Sequence, residues 1–160
     1  MRNIKLCLLI VGTVLTGCRD HTITSLPMSP TIKPGEKITV DYSAFSFGDP
    51  KRWDVVLFRP VETPEPVWVM RVVGLPGERI SITATGVIVN GSVLKQPPHL
   101  SRVRFLPQAS SQTNANTVSY PYQVPKDAYF LLGDNSPISN DSRYMGGIPK
   151  EKILGRVINK

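Results

Sequence analysis

The chain has 160 residues, a formal net charge of +7 and a hydrophobic fraction of 41%, enough for one packed domain and too little for two. Fifteen prolines and twelve glycines cut helices short and suit many turns, which favours a mostly β chain of short strands. The lysines and arginines are scattered, which excludes a nucleic-acid groove built on basic blocks; the charge fits a surface near anionic lipid, or equally a merely solvated one.

The chain opens "MRNIKLCLLIVGTVLTGCRD". Arg2 and Lys5 precede an uncharged apolar run from Leu6 to Gly17, the pattern of a secretory leader. The run is twelve residues long, whereas a spanning helix needs about 20, so an uncleaved transmembrane anchor fits less well. "LTGC" closes the run and resembles the lipobox of bacterial lipoproteins, in which Cys18 would be acylated and become the first mature residue. An ordinary signal peptide with an incidental cysteine is the alternative. Cleavage there would remove Cys7 and leave no internal disulfide, and would take Arg2 and Lys5 with no acid, lowering the charge from +7 to +5. The expected organisation is a signal peptide over 1–17, a lipidated tether over 18–24 and a β domain over 25–160, held outside the cytoplasm on a membrane. Seven residues separate Cys18 from Ser25, a reach of at most about 25 Å. Arg19 after the cysteine, with Asp20 only next, favours outer-membrane sorting in a two-membrane organism.

Beyond this, strand-like runs alternate with turn signals: "KITVDY", "DVVLF", "VWVMRVV", "RISIT", "VIVN", "SVL", "YFLL" and "ILGRVI". "KPGE" and "LPGE" are Pro-Gly turns, and "VIVNGSVL" predicts a hairpin around Asn90-Gly91. The stretch from Gln96 to Tyr122, with its polar "QASSQTNANT", predicts an extended insertion, mostly mobile loop with an edge strand at "RVRFL".

Three segments carry a resemblance. They are "SLPMSPTI" (25–32), "MRVVGLPGE" (70–78) and "GDNSPISNDSR" (133–143), in order and at matching spacing. Together they resemble bacterial signal peptidase I, the membrane-bound serine-lysine endopeptidase that removes signal peptides outside the cytoplasmic membrane. The resemblance covers about Ser25 to Val157 and implies a largely antiparallel β fold with a small inserted subdomain, here reduced to 96–122. It also implies a groove in which an extended peptide adds as a strand, placed here at Ser25, Met28, Ser29, Pro30, Thr31, Arg71 and Val72.

The departures from the family pattern fall in the chemistry. The resemblance puts Pro27 on the nucleophilic serine, Met70 on the lysine base and Ser25 on the oxyanion hydroxyl; only Ser25 is retained. Such a protease needs a hydroxyl, a neutral amine to take its proton, and donors for the oxyanion. Proline supplies neither hydroxyl nor backbone N–H, and the loss of one oxyanion donor alone costs about a hundred- to thousandfold in rate. A thioether accepts no proton usefully at neutral pH, yet suits a dry pocket in which an unpaired ammonium would be costly. Ser29 could share a face with position 27, but Pro30 follows it and no lysine aligns with it. Arg71 keeps its proton and faces away from Met70.

In the third segment, Gly133, Asp134, Asn135, Ser139, Asp141, Ser142 and Arg143 read as loop architecture. The resemblance implies an Asp141–Arg143 ion pair, and a role for Ser139 in orienting the lysine that is no longer there. No metal site and no cofactor are expected. Three readings follow. The first is an inactive peptidase-like lipoprotein that binds extended segments of exported or pilin-like proteins, its partners being membrane lipid through Cys18 and such peptides, and not nucleic acid. That first reading includes assistance in secretion, pilus or conjugation assembly; the others are an active divergent peptidase and a structural or interaction module of a secretion or conjugation apparatus.

Overall fold

A computed structural model describes residues 17–60, 67–107 and 117–159. The leader up to residue 16, with Cys7, and residues 108–116 of the polar stretch lie outside the described residues. The first strands are β1 (Cys18–Thr22), β2 (Lys37–Asp41), β3 (Val55–Phe58), β4 (Trp68–Gly74), β5 (Arg79–Thr83), β6 (Gly86–Val89) and β7 (Ser92–Val93). After the insertion come β8 (Tyr122–Gln123), β9 (Ala128–Leu132), a single helical turn α1 (Ser142–Met145), β10 (Ile148–Pro149) and β11 (Ile153–Asn159). They form a seven-stranded sheet ordered β1-β2-β11-β3-β4-β9-β10 and a four-stranded sheet ordered β7-β6-β5-β8. Every ladder between these strands is antiparallel, so the mostly β antiparallel expectation holds.

The expected runs all become strands, and Asn90 (φ 49°) and Gly91 (φ 84°) turn the β6–β7 hairpin as the Asn-Gly pair predicts. β4 and β9 are central and buried on both faces, which explains their nearly continuous apolar sequences. Alternation along them feeds separate cores. Met70, Val72, Tyr129 and Leu131 join Val56 and Phe58, while Val73, Phe130 and Leu132 join Ile80, Ile82 and Val87 of the small sheet. A third cluster places Met28 and Ile32 against Ile38, Val40 and Leu57.

Two expectations are corrected, and Cys18 to Thr22, within the expected tether, pair with Asp41 to Lys37 as an edge strand. "RVRFL" is no edge strand; it makes a single parallel bridge, Arg104 to Asn135. The described parts of the insertion are packed, not loose. Leu100, Val103 and Phe105 are buried in the small-sheet core, with Val118, Tyr120 and Tyr122 against it, because three apolar residues at alternating or turn spacing reach one face. Short β1, β8, β10 and α1 carried no usable periodicity.

The loop between β9 and β10 has little apolar content and is held by charge. Arg143, 1% exposed, donates from Nε and Nη2 to Asp141 at 2.8 and 3.0 Å, from Nη1 to the Leu106 carbonyl at 2.9 Å, and from Nη2 to the Ser136 and Ser139 carbonyls at 2.7 and 3.2 Å. Asp141 also caps α1 and accepts from Gly133 N–H at 3.1 Å, and Ser142 Oγ accepts from Leu131 N–H at 2.9 Å. Breaking a buried pair by removing one partner costs about 3–5 kcal/mol, so Arg143→Ala should lower the urea midpoint by that equivalent. Lys150→Ala, which breaks an exposed pair with Asp49, should stay within about 1 kcal/mol.

Candidate functional site

The site forms where β4 loses a neighbour. On one side β4 pairs with β3 from Trp68 to Arg71. On the other, β9 pairs only from Arg71–Leu132 onward, since the chain leaves the sheet at Gly133. Trp68 to Met70 therefore have no strand on their β9 side among the described residues. Thr24, Ser25 and Pro27 approach this edge, Ile138 and Asn140 close it, and together with Val67, Trp68, Val69 and Met70 they line a cavity of about 370 Å³. That volume suits a few side chains of an extended segment.

The Pro27 segment is a turn fixed from both sides. Ser29 N–H donates to the Leu26 carbonyl at 3.0 Å and Ile32 N–H to the Met28 carbonyl at 2.9 Å, and the Ser29–Pro30 peptide bond is cis. Met28 and Ile32 sink into the core beneath it. Asn135 N–H donates to the Pro27 carbonyl at 2.8 Å. Gly133 is required here: a Cβ on it would lie 2.7 Å from the Pro27 carbonyl oxygen and would collide with Ser139 Oγ. Behind it, Arg71 Nε and Nη2 hold both Asp134 oxygens at 2.8 and 2.6 Å, and Nη1 donates to the Trp53 carbonyl at 2.8 Å, with Trp53 itself in a positive-φ conformation.

Pro27, Met70 and Ser25, which the resemblance assigns to nucleophile, base and oxyanion donor, line the same cavity. Its described walls carry two hydroxyls, one amide, one indole and no ionisable side chain. Met70 is 1% exposed and packs among Val56, Val72 and Leu131. The nearby cation, Arg71, spends its donors on Asp134 and Trp53. Ser139 Oγ is buried with no hydrogen-bond partner among the described residues. No group of three His, Cys, Asp or Glu among the described residues could hold a metal.

The groove assignments need revision. Ser25 lines the cavity, but Met28 (2% exposed) and Val72 (0%) are core, and Arg71 (2%) is locked in its ion pair. Thr31 lines a different depression, with His99 and Asn159, and Ser29 and Pro30 do not line the cavity. The turn at 26–32 breaks the strand alternation on which those assignments relied. Thr24, Val67, Trp68, Val69, Ile138 and Asn140 are site residues that the sequence reading missed. "VWVM" was legible as strand, but not as a strand end without a partner. Gly133, Asp134, Asn135, Ser139, Asp141, Ser142 and Arg143 lie where an architectural role puts them, with bonds that cross the loop and reach its neighbours.

An antiparallel β core with a peptide-sized cleft beside a strand edge unpaired among the described residues, walled by the positions that the resemblance assigns to serine and lysine, defines a peptidase-like class. The family model described as signal peptidase, peptidase S26, matches residues 2–159, and the chain belongs to that family. Signal peptidase I of Leptolyngbya laminosa is 31% identical over 143 residues, covering 85% of this chain and 64% of that protein. Signal peptidase I V of Bacillus subtilis strain 168 is 33% identical over 138 residues, covering 85% and 81%. The chain spans just under two thirds of the Leptolyngbya protein and of a probable signal peptidase I-2 from Synechocystis. A solved signal peptidase I from Enterococcus faecalis V583 aligns over 68% of this chain and 96% of its own at 27% identity, with a TM-score of 0.49. Family members are membrane-associated, with catalytic domains outside the cytoplasm; no helix among the described residues is long and apolar enough to cross a membrane.

Gly133→Ala should push the Pro27 turn off the loop. The expected result is lost exchange protection at the Asn135 amide with β5 and β6 amides unchanged, read by hydrogen exchange.

Proposed function

We propose that this chain is a proteolytically silent signal peptidase homologue that captures extended, uncharged peptide segments of exported proteins along the open edge of β4. The observation that carries the reading is the cavity wall: a strand edge and apolar side chains are kept, while no ionisable group stands beside Ser25, Pro27 or Met70 in that wall. Main-chain pairing along an edge needs neither nucleophile nor base. We also propose that Cys18, exposed at the start of β1, is acylated and holds the domain on the outer side of a membrane.

Purified chain in detergent should leave a preprotein uncut while shifting Trp68 fluorescence on titration with a small-residue apolar peptide. Methylating the peptide's main-chain amides should abolish the shift. Ile138→Asp, at a position 52% exposed on the rim, should weaken binding about tenfold or more, since it places a charge where an apolar segment must be desolvated. Cleavage by the unaltered chain would instead establish an active divergent peptidase, and a silent chain with no peptide response would leave a structural role.

Pro27→Ser with Met70→Lys tests the ancestry of the cavity. The pair supplies a hydroxyl, an N–H and an amine at the two positions. Measurable preprotein cleavage is expected from the double variant and none from either single one. For the anchor, labelled palmitate should enter the chain in bacteria and be lost on Cys18→Ser.

A further inference from the structure

We infer that the open face of the four-stranded sheet docks an acidic segment of a protein partner, with a carboxylate seated between Arg79 and Asn90. The distribution of charge along the chain points there. Of the nineteen lysines and arginines, two precede Cys18 and five lie between Arg79 and Lys126; the other twelve are balanced by all twelve aspartates and glutamates. The stretch 79–126 contains no acid, so it carries the whole +5 that the chain has from Cys18 onward. Arg79, Lys95, Arg102, Arg104 and Lys126 are all exposed, and none of their side chains makes a hydrogen bond or ion pair among the described residues. Charge of one sign left uncompensated within a chain is complementary to an acidic partner.

Strand register builds the seat. Ile80, Ile82 and Val87 turn into the core, so Arg79, Ser81 and Ile88 turn out. Ser81 stands across from Ile88, and Ile88 across from Val93. Arg79, Ser81 and Ile88 line a depression of about 480 Å³ together with Asn90, Gly91 and Pro121. Asn90 Oδ1 accepts from Arg79 N–H at 2.9 Å, which leaves the amide NH2 as a donor beside the Arg79 guanidinium and the Ser81 hydroxyl. Glu78, the adjacent acid, is held by Arg52. A guanidinium fork next to hydroxyl and amide donors matches the two oxygens of a carboxylate, and Ile88, Pro121 and the exposed Val93 (67%) suit aliphatic neighbours of that carboxylate. Anionic headgroups would meet the same charge, but Cys18 lies on β1, four strands from β4 in the large sheet, or about 19 Å along it. The small-sheet core packs on Val73 of β4 and on Phe130 and Leu132 of β9, and the docking face looks away from that core. The inference does not rest on peptide capture at the cleft.

The full chain in uncharged detergent is titrated at low ionic strength, where exposed charges are least screened, with a fluorescent hexapeptide alternating glutamate and valine and with its glutamine counterpart. Anisotropy should rise with the glutamate peptide alone. Arg79→Ala should weaken that binding about tenfold or more, and Arg79→Lys nearly as much, since an ammonium lacks the fork. Lys126→Ala, which removes an exposed charge of the same stretch outside the depression, should change it less than about twofold. The Arg79 side chain is exposed, so the fold should persist, as circular dichroism would check, and the apolar-peptide titration at the cleft should be unaltered by Arg79→Ala. Absence of glutamate-peptide binding, equal binding of the glutamine peptide, or equal weakening by Arg79→Ala and Lys126→Ala would overturn the inference. Displacement of the peptide by phosphatidylglycerol added to the micelles, with phosphatidylcholine inert, would overturn it as well and give the face to a lipid surface.

Discussion

The enclosure of Arg143 by Asp141 and three carbonyl groups is the constraint on which the rest of this structure depends. The loop after β9 lacks the apolar side chains to fold on a core, so its shape comes from a guanidinium whose three nitrogens are all engaged. Through the Leu106 carbonyl the same group fastens the insertion, and through Asp141 it sets Gly133. Gly133 and Asn135 in turn position Pro27. A buried pair of this kind contributes specificity of shape more than net stability, because desolvation offsets most of its attraction.

Proline and methionine, at the positions the resemblance assigns to nucleophile and base, suit the surroundings they meet in the cleft. A lysine at position 70 would sit at a site only 1% exposed, where an ammonium without a hydroxyl to activate carries only its desolvation cost. Methionine fills comparable space without charge. Proline at 27 is tolerated because the turn uses its carbonyl, held by Asn135, and leaves its nitrogen without a role. Ser139 Oγ, packed against Gly133, is left without a hydrogen-bond partner among the described residues.

Much of this was legible in the sequence. Alternating runs and the Asn90-Gly91 turn specify the strands, since side-chain period and turn chemistry are local. The Asp141–Arg143 pair and the convergence of positions 25, 27 and 70 were reachable only through resemblance. The partnerless side of β4 was not legible, because which strand ends early is decided by where its neighbour turns away. The Arg71–Asp134 pair, 63 residues apart, is likewise a product of topology: alternation placed Arg71 away from Met70 but could not say what it would meet. The edge strand β1 was hidden because "CRDHT" is polar and exposed, with no period to read.

That polarity has a consequence for the protein's behaviour in a crowd. β1 is the outer strand of a seven-stranded sheet, and an exposed edge is a template for the edge of another molecule. Copies concentrated on a surface meet in two dimensions, edge facing edge, so the hazard of lateral polymerisation rises. Arg19, Asp20 and His21 place alternating charged and polar groups along that border, and a second β1 laid against it would have to strip water from them. The strand closes the sheet while discouraging its own extension into a filament.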